Sequence, residues 1–302
     1  MQKTPPSRPL ILLTNDDGID ARGLNLLEDA LAPLGRVIVS APATQQSAVG
    51  HGITLGSPLR VRTHGPNRFA VAGRPADAVF LGIGEFCPRR PDLVVSGINH
   101  GPNVGVDVLY SGTVAAAMEG ALRDIPALAV SQMLPMIPVD DDNDDERQGR
   151  VSAWLPPDRV IPSLEASLKH TARFAAAVAS AILARPLPLG IALNLNGPAE
   201  EATSYRWTRL GRQFYKPTVV RRVDPRGIPY YWVSGEPTGR RVPPDTDLGA
   251  LRDGVFSITP LGVDWTQPRP SAGFPIAGYD ELAQNRVDIP EDVSPEVSKE
   301  HI

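Results

Sequence analysis

Along the chain, apolar runs of strand length alternate with stretches whose apolar residues recur every three to four positions. Leu10–Thr14 is the first run, bounded by Pro9 and by the turn-forming Asn15-Asp16-Asp17-Gly18. An unbroken run of this length fits a strand buried on both faces, as in a parallel sheet. Leu24, Leu27, Ala30 and Leu31 follow at helical spacing, and Gly35 stops the helix. Arg36–Ser40 reads as the second strand and ends in Ala41-Pro42. That is a βαβ unit, which sets an α/β class with right-handed crossovers.

The alternation continues with a helix expected over Ala76–Ile83 and a two-face-buried strand over Asp92–Ser96. A small-residue-rich helix follows over Ser111–Leu122, capped by Ser111 or Thr113. Ala127–Ser131 is a further strand, Thr171–Ala184 an Ala-rich helix and Gly190–Leu195 another strand. Polar residues follow three of the strands: Asn15-Asp16-Asp17, Gln46-Ser47 and Asn99. In open parallel sheets the ligand crevice lies outside the carboxyl ends of the strands, so these residues converge on one place.

Past Ser131 the texture changes. The segment of about 132–170 holds the acidic run Asp140–Glu146 and reads as a partly mobile insertion. Asp140, Asp142 and Asp144 alternate as in a calcium loop, but Asp145 stands where that loop needs Gly and Val151 where it needs Glu. Farther on, Thr218–Val223 and Tyr230–Val233 flank Asp224-Pro225-Arg226-Gly227, a hairpin signature, and Gly254–Thr259 adds a short strand. Tyr230, Tyr231 and Trp232 give this stretch the look of an arm for contacts between copies. The expected division is an α/β catalytic domain over 9–200, an arm region over 201–261 and a polar tail over 262–302.

Composition narrows the classes. At 302 residues, 42% hydrophobic and 21% charged, the chain can bury a sizeable core without disulfides. A net charge of -4 argues against a nucleic-acid polymer as main partner, yet leaves room for one anionic small molecule. The single cysteine, Cys87, excludes an intramolecular disulfide and a Cys-based zinc cluster, and its apolar setting marks a buried structural thiol. The first nine residues lack the apolar segment of a signal peptide, and no run reaches the length of a membrane span. A cytoplasmic protein without membrane contact is expected.

Three fragments carry chemistry. Asp16 and Asp17 repel, and placing both at a strand end costs free energy unless a cation sits there. Hard oxygen ligands favour magnesium, manganese or calcium over zinc. The plainer alternative is that the pair starts the turn and caps the next helix. In Ser96–Gly105, three glycines and two asparagines make a tight loop, where Asn99 offers a carboxamide oxygen to a metal and Asn103 offers amide donors. Tyr110-Ser111-Gly112-Thr113-Val114 opens a helix whose free amides, hydroxyls and dipole suit a phosphate, or else form an ordinary cap. Arg74 adds a cation that could lie near. Of the histidines, His51 and His100 are placed at the crevice, and His64, His170 and His301 on the surface. No GxxxxGK, GxSxG or HExxH pattern occurs, which removes the P-loop, serine-elbow and zincin readings.

In this order the fragments resemble the SurE family of survival-protein 5'/3'-nucleotidases. The resemblance rests on Ile11–Ala21, Gln46-Ser47, Gly52–Leu55, Pro91–Asn99, Asn103 and Tyr110–Thr113, with Asp245-Thr246-Asp247 and Ser257–Leu261 like the family's C-terminal signature. It implies a Rossmann-like three-layer αβα sandwich with a mostly parallel sheet. It also implies one divalent ion, magnesium or manganese (with calcium as its stand-in in a crystal), held by Asp16, Asp17, Ser47 and Asn99. The activity implied is hydrolysis of nucleoside 5'- and 3'-monophosphates, in a homodimer or homotetramer built through an exchanged C-terminal arm. Asp16, Asp17 and Asn99 are then the catalytic set for a metal-activated water, with Asn15, Asn103, Ser111, Gly112 and Thr113 around the phosphate. Three features depart from the family pattern: Ala48 where Gly is usual, the long 132–170 segment, and the tail after Leu261.

Two other functions fit some of the residues. An aspartyl-phosphate phosphatase would use Asp16 as nucleophile, although that chemistry pairs Asp-Xaa-Asp rather than adjacent aspartates. A nucleotide-binding regulatory module without turnover would keep the crevice and lose the reaction. A dinucleotide oxidoreductase lacks its GxGxxG turn.

Overall fold

The computed structural model of the chain describes residues 8–134, 162–212, 215–237 and 242–266. All that follows concerns the first of two compact units, which ends at Asp264. The acidic run Asp140–Glu146, most of the expected insertion and the tail from 267 lie outside the described residues.

In chain order the strands are β1 (Leu10–Thr14), β2 (Arg36–Pro42), β3 (Arg60–Thr63), β4 (Arg68–Ala72), β5 (Leu93–His100), β6 (Ala127–Gln132), β7 (Ile191–Gly197), β8 (Tyr205–Trp207), β9 (Tyr215–Val223), β10 (Pro229–Pro237) and β11 (Phe256–Gly262). The helices are α1 (Arg22–Leu31), α2 (Pro75–Leu81), α3 (Gly112–Ala121), α4 (Pro162–Ala184) and α5 (Asp247–Arg252). Nine strands form one sheet in the order β3-β4-β2-β1-β5-β6-β7-β11-β8. Its central strands run parallel, while β3–β4 and β7–β11 pair antiparallel.

Strand alternation sorts the core into two layers. Ile11, Leu13, Leu93, Val95, Leu128 and Val130 face one way and meet the leucines of α1 and the apolar stripe of α4. Leu10, Leu12, Val94, Ala127 and Ala129 face the other way, against Val79 of α2 and the alanines of α3. Each fully buried leucine stabilises this arrangement by roughly 2 kcal/mol. The result is the expected αβα sandwich. Chain order reverses between β1 and its two neighbours, β2 and β5, which makes the carboxyl end of β1 a topological switch point.

Several elements differ from the sequence reading. β3 and β4 were not expected, because β3 is Arg-Val-Arg-Thr and exposed throughout. The second helix ends at Leu81, and Gly82–Phe86 continue as a π-helical segment. α4 begins at Pro162, nine residues before the expected start, so the end of the supposed insertion is helix. β8 and β11 complete the main sheet, next to β7. Within 201–261, therefore, the hairpin β9–β10 is the part that forms a separate two-stranded sheet. Asp224 closes its turn by accepting the Arg226 and Ile228 amides, both at 2.8 Å. Cys87 is a buried thiol, as expected, and burial pushes its pKa up to about 11. No helix of the described residues is long and apolar enough to cross a membrane.

Candidate active site at the carboxyl end of β1

Asn15 turns the chain as it leaves β1. Its amide donates to the Gly18 carbonyl at 2.9 Å, and its Oδ1 accepts from the Gly18 amide at 3.2 Å. Gly18 holds φ +103°, where a side chain would be strained. Both ends of the Asn15 side chain are thus engaged in the turn. Neither aspartate caps the next helix, since α1 starts after Ala21 without any side-chain cap.

Asp16 is 5% exposed and lies against the start of α3. Ser111 is the cap of that helix, its Oγ accepting from the Val114 amide at 3.0 Å. Thr113 donates its hydroxyl to the Asp16 carboxylate, and its backbone amide adds a second bond there. Gly112 permits the close approach, because a Cβ at that position would stand 2.8 Å from Asp16 Cβ. Burial pushes the Asp16 carboxyl up to about 7, the Asp17 charge pushes the same way, and the Thr113 hydroxyl pulls against both. Burial also raises Asp17, to about 6, opposed by the His100 amide that donates to its Oδ2 at 3.3 Å.

Among the described residues, none of the ion pairs involves Asp16 or Asp17. A buried and a half-buried carboxylate with no cationic side chain between them among the described residues fit the donor set of a hard divalent ion. Groups of three His, Cys, Asp or Glu suited to a metal are absent among the described residues, so further ligands would be neutral oxygens. Asn99 and Ser47 carry such oxygens. Asn99, at the end of β5, is 8% exposed and fixed by its Nδ2 donating to the Gly101 carbonyl at 2.8 Å. Ser47 is exposed on the loop after β2, where the Gln45 amide reaches its Oγ at 2.9 Å. The Gln46 amide donates to the Asp16 carbonyl at 2.7 Å and ties this loop to the acid pair.

Farther along, the loop is anchored to the α2–α3 layer. Gly50 donates to the Tyr110 carbonyl at 3.0 Å, and His51 Nε2 lies 2.6 Å from the buried Glu119 carboxylate. Thr54 donates through its amide and hydroxyl to Asp77 at 2.8 and 2.6 Å. Arg74 reaches the Ile53 carbonyl at 3.3 Å, so it braces the loop instead of meeting the aspartates. Ala48 holds φ +57°, which explains why glycine suits that position and what its replacement strains.

Asn103 is also a brace. Its Nδ2 donates to Ser131 Oγ at 2.8 Å, its amide to Asn196 Oδ1 at 2.8 Å, and its carbonyl accepts from Asn194 and Asn196. The backbone amide and one Nδ2–H of Asn103 are thus engaged inside the protein. His100 does lie at the crevice: its Nε2 is buried without a partner among the described residues, and burial lowers its pKa against the pull of Asp16. His170 is packed inward, stacked on Phe256 and bonded to the Ala202 carbonyl at 2.6 Å, contrary to the surface expectation.

Residue-by-residue reading missed Asn194 and Asn196, although two asparagines at alternate positions of an otherwise apolar strand are a readable signal. It also gave no role to Asp247, whose buried carboxylate accepts the amides of Gly105 at 2.7 Å and of Gly211 and Leu248 at 2.8 Å. Asp247 thereby holds the loop between β5 and α3.

An acid pair and a helix start meeting at the switch point of a doubly wound sheet define an α/β protein with a strand-end crevice suited to an anionic ligand. The chain belongs to the SurE family: the family model described as Survival protein SurE matches residues 11–217. It is 44% identical to a protein of Moorella thermoacetica named 5'-nucleotidase SurE, over 85% of this chain and 91% of that one. It is 42% identical to 5'-nucleotidase SurE 1 of Thermus thermophilus, over 85% and 92%. The crystal structure of the SurE protein from Aquifex aeolicus superposes with a TM-score of 0.68 at 36% identity, covering 86% of this chain and 95% of that one.

Proposed function

We propose that the chain hydrolyses nucleoside 5'- and 3'-monophosphates to nucleoside and phosphate, with one divalent ion, magnesium or manganese, in the site. The observation that carries this is the Asp16–Asp17 pair, both carboxyls raised by desolvation, with no cationic partner among the described residues and with Asp16 buried against the start of α3. The names of the relatives support the substrate class. Asp16, Asp17, Ser47 and Asn99 would hold the ion, which when bound supplies positive charge to the phosphoryl oxygens and to the attacking water.

The chain's own residues do the rest. Thr113 holds the Asp16 carboxylate in one orientation through two bonds, which suits Asp16 to receive the proton of the attacking water. The positive end of α3, at Ser111-Gly112-Thr113, favours the charge that builds on the phosphoryl oxygens. Asn15 and Asn103 act one step back, holding the two loops that carry the site. The test is phosphate release from a panel of nucleoside monophosphates with magnesium, manganese or chelator. Release that depends on metal is expected; release unchanged in chelator, or none with any nucleotide, refutes the reading.

The hairpin supports an oligomer. Tyr231, Trp232 and Val233 of β10 are exposed by 59%, 61% and 81%. An apolar strand exposed to that degree fits an arm that docks on a second copy. Light scattering on Trp232→Glu/Val233→Lys is expected to show a smaller particle than the parent; an unchanged mass removes the arm from the assembly.

A further inference from the structure

The other end of the same strand carries a feature with no part in this chemistry. A cavity of about 670 Å³ opens at the amino ends of β1 and β2, and its lining includes Leu10, Val37, Pro88 and the arginines Arg8, Arg36 and Arg89. β1 is five residues long, so about 13 Å of strand separates this cavity from the acid pair. The volume lies within the range of small-molecule sites, roughly 300–1,000 Å³.

The charge balance there is positive. Arg89 is paired with Asp92 at 2.7 Å, and Glu28, which also lines the cavity, is paired with Arg68. Arg8 and Arg36 have neutral partners: Arg8 donates to the Ala32 carbonyl at 2.6 Å and Arg36 to Asn67 Oδ1 at 2.9 Å. A guanidinium has five N–H donors, so most of their capacity is not used by these contacts. The positive charges of Arg36 and Arg89 both act on the Cys87 thiol, against the upward push of its burial, so they converge on one region. Leu10, Val37 and Pro88 supply an apolar wall beside these charges.

We propose that this cavity binds a small phosphate-bearing anion, its phosphate on the guanidinium groups of Arg8 and Arg36 and its organic part on the wall of Leu10, Val37 and Pro88. Planar guanidinium forks match phosphate oxygens two at a time, and charge-assisted bonds of this kind are the strong ones. The site stands on its own geometry and does not depend on the nucleotidase reading.

The experiment titrates the full chain, in EDTA, with AMP, inorganic phosphate and adenosine while following the arginine Nε–Hε NMR signals. AMP is expected to shift the Arg8 and Arg36 signals saturably and at lower concentration than phosphate, with adenosine leaving them in place. Arg36→Glu, an exposed and non-disruptive change, is expected to weaken this binding roughly tenfold or more. Thr113→Val, altered at the far end, is expected to retain it. Arg8 and Arg36 signals that stay fixed while AMP binds elsewhere overturn the proposal, as does AMP binding of parental strength at this site in Arg36→Glu. Equal affinity for AMP and phosphate overturns the part assigned to the apolar wall.

Discussion

Removing the divalent ion at different pH values tests the electrostatics of the acid pair most directly. Moving the Asp16 carboxyl from 3.8 to about 7 means that ionising it in the folded, metal-free chain costs on the order of 4 kcal/mol. The sign follows from proton linkage. Below about pH 4 the group is protonated in folded and unfolded chains alike, and the cost is absent. Between about pH 4 and 7 the folded chain keeps a proton that the unfolded chain has released, so stability falls as pH rises. Asp17, raised to about 6, acts in the same direction over a narrower window. A cation binding the ionised pair offsets much of that loss, adding about 2.7 kcal/mol at a concentration one hundred times its dissociation constant. At about 2 °C per kcal/mol for a chain of this size, the changes are readable in thermal melts. Other carboxylates also titrate, so the informative comparison is with Asp16→Asn. In EDTA the variant should melt close to the parent at pH 4 and several degrees above it at pH 7.5. With magnesium or manganese at pH 7.5 the parent should gain stability and the variant little. A variant no more stable than the parent in EDTA at pH 7.5, or an equal gain from metal in both, refutes the reasoning.

Three further outcomes are expected. Thr113→Val keeps the shape but removes a hydroxyl bonded to a buried carboxylate, worth about 1.5–3 kcal/mol; kcat/KM should fall roughly tenfold to a hundredfold, with the acid limb of the pH–rate profile moved to higher pH. Ala48→Gly relieves a left-handed backbone and should raise stability by about 0.5–1 kcal/mol in a denaturant titration; no change, or a loss, contradicts the strain. Asp247→Ala leaves three amides without their acceptor and should cost about 3 kcal/mol or more, read as a lowered melting temperature together with lost turnover.

The central strands were legible because a parallel strand buried on both faces leaves an unbroken apolar run, as Leu10–Thr14 and Leu93–Val95 do. β3 left no such mark, since its side chains are exposed and only backbone pairing with β4 makes it a strand. In the site, the places of Asp16, Asp17 and Asn99 were legible because each stands at or just past the end of a readable strand, and that of Thr113 because it opens a readable helix. The internal bonds of Asn15 and Asn103 were not, for a reason specific to asparagine: the same amide suits a turn, a ligand or a buried clamp. Ser131 and Asn196, the partners that decide the matter for Asn103, lie 28 and 93 residues away. Local pattern carries no trace of pairings at that range.

The clamp of Asp247 on the Gly105 amide also sets an order of events during synthesis. The acid pair, the β5 loop and α3 are all made within the first 121 residues, yet the residue that locks their connecting loop comes last. At about 5–20 residues per second the ribosome needs roughly 7–30 s to travel from Asn99 to Asp247. β8 waits as well, since its seat in the sheet is the edge of β11. A nascent chain thus carries every reactive group long before it can hold them in working geometry, and premature termination before Asp247 yields a protein with a complete inventory and an unlocked site.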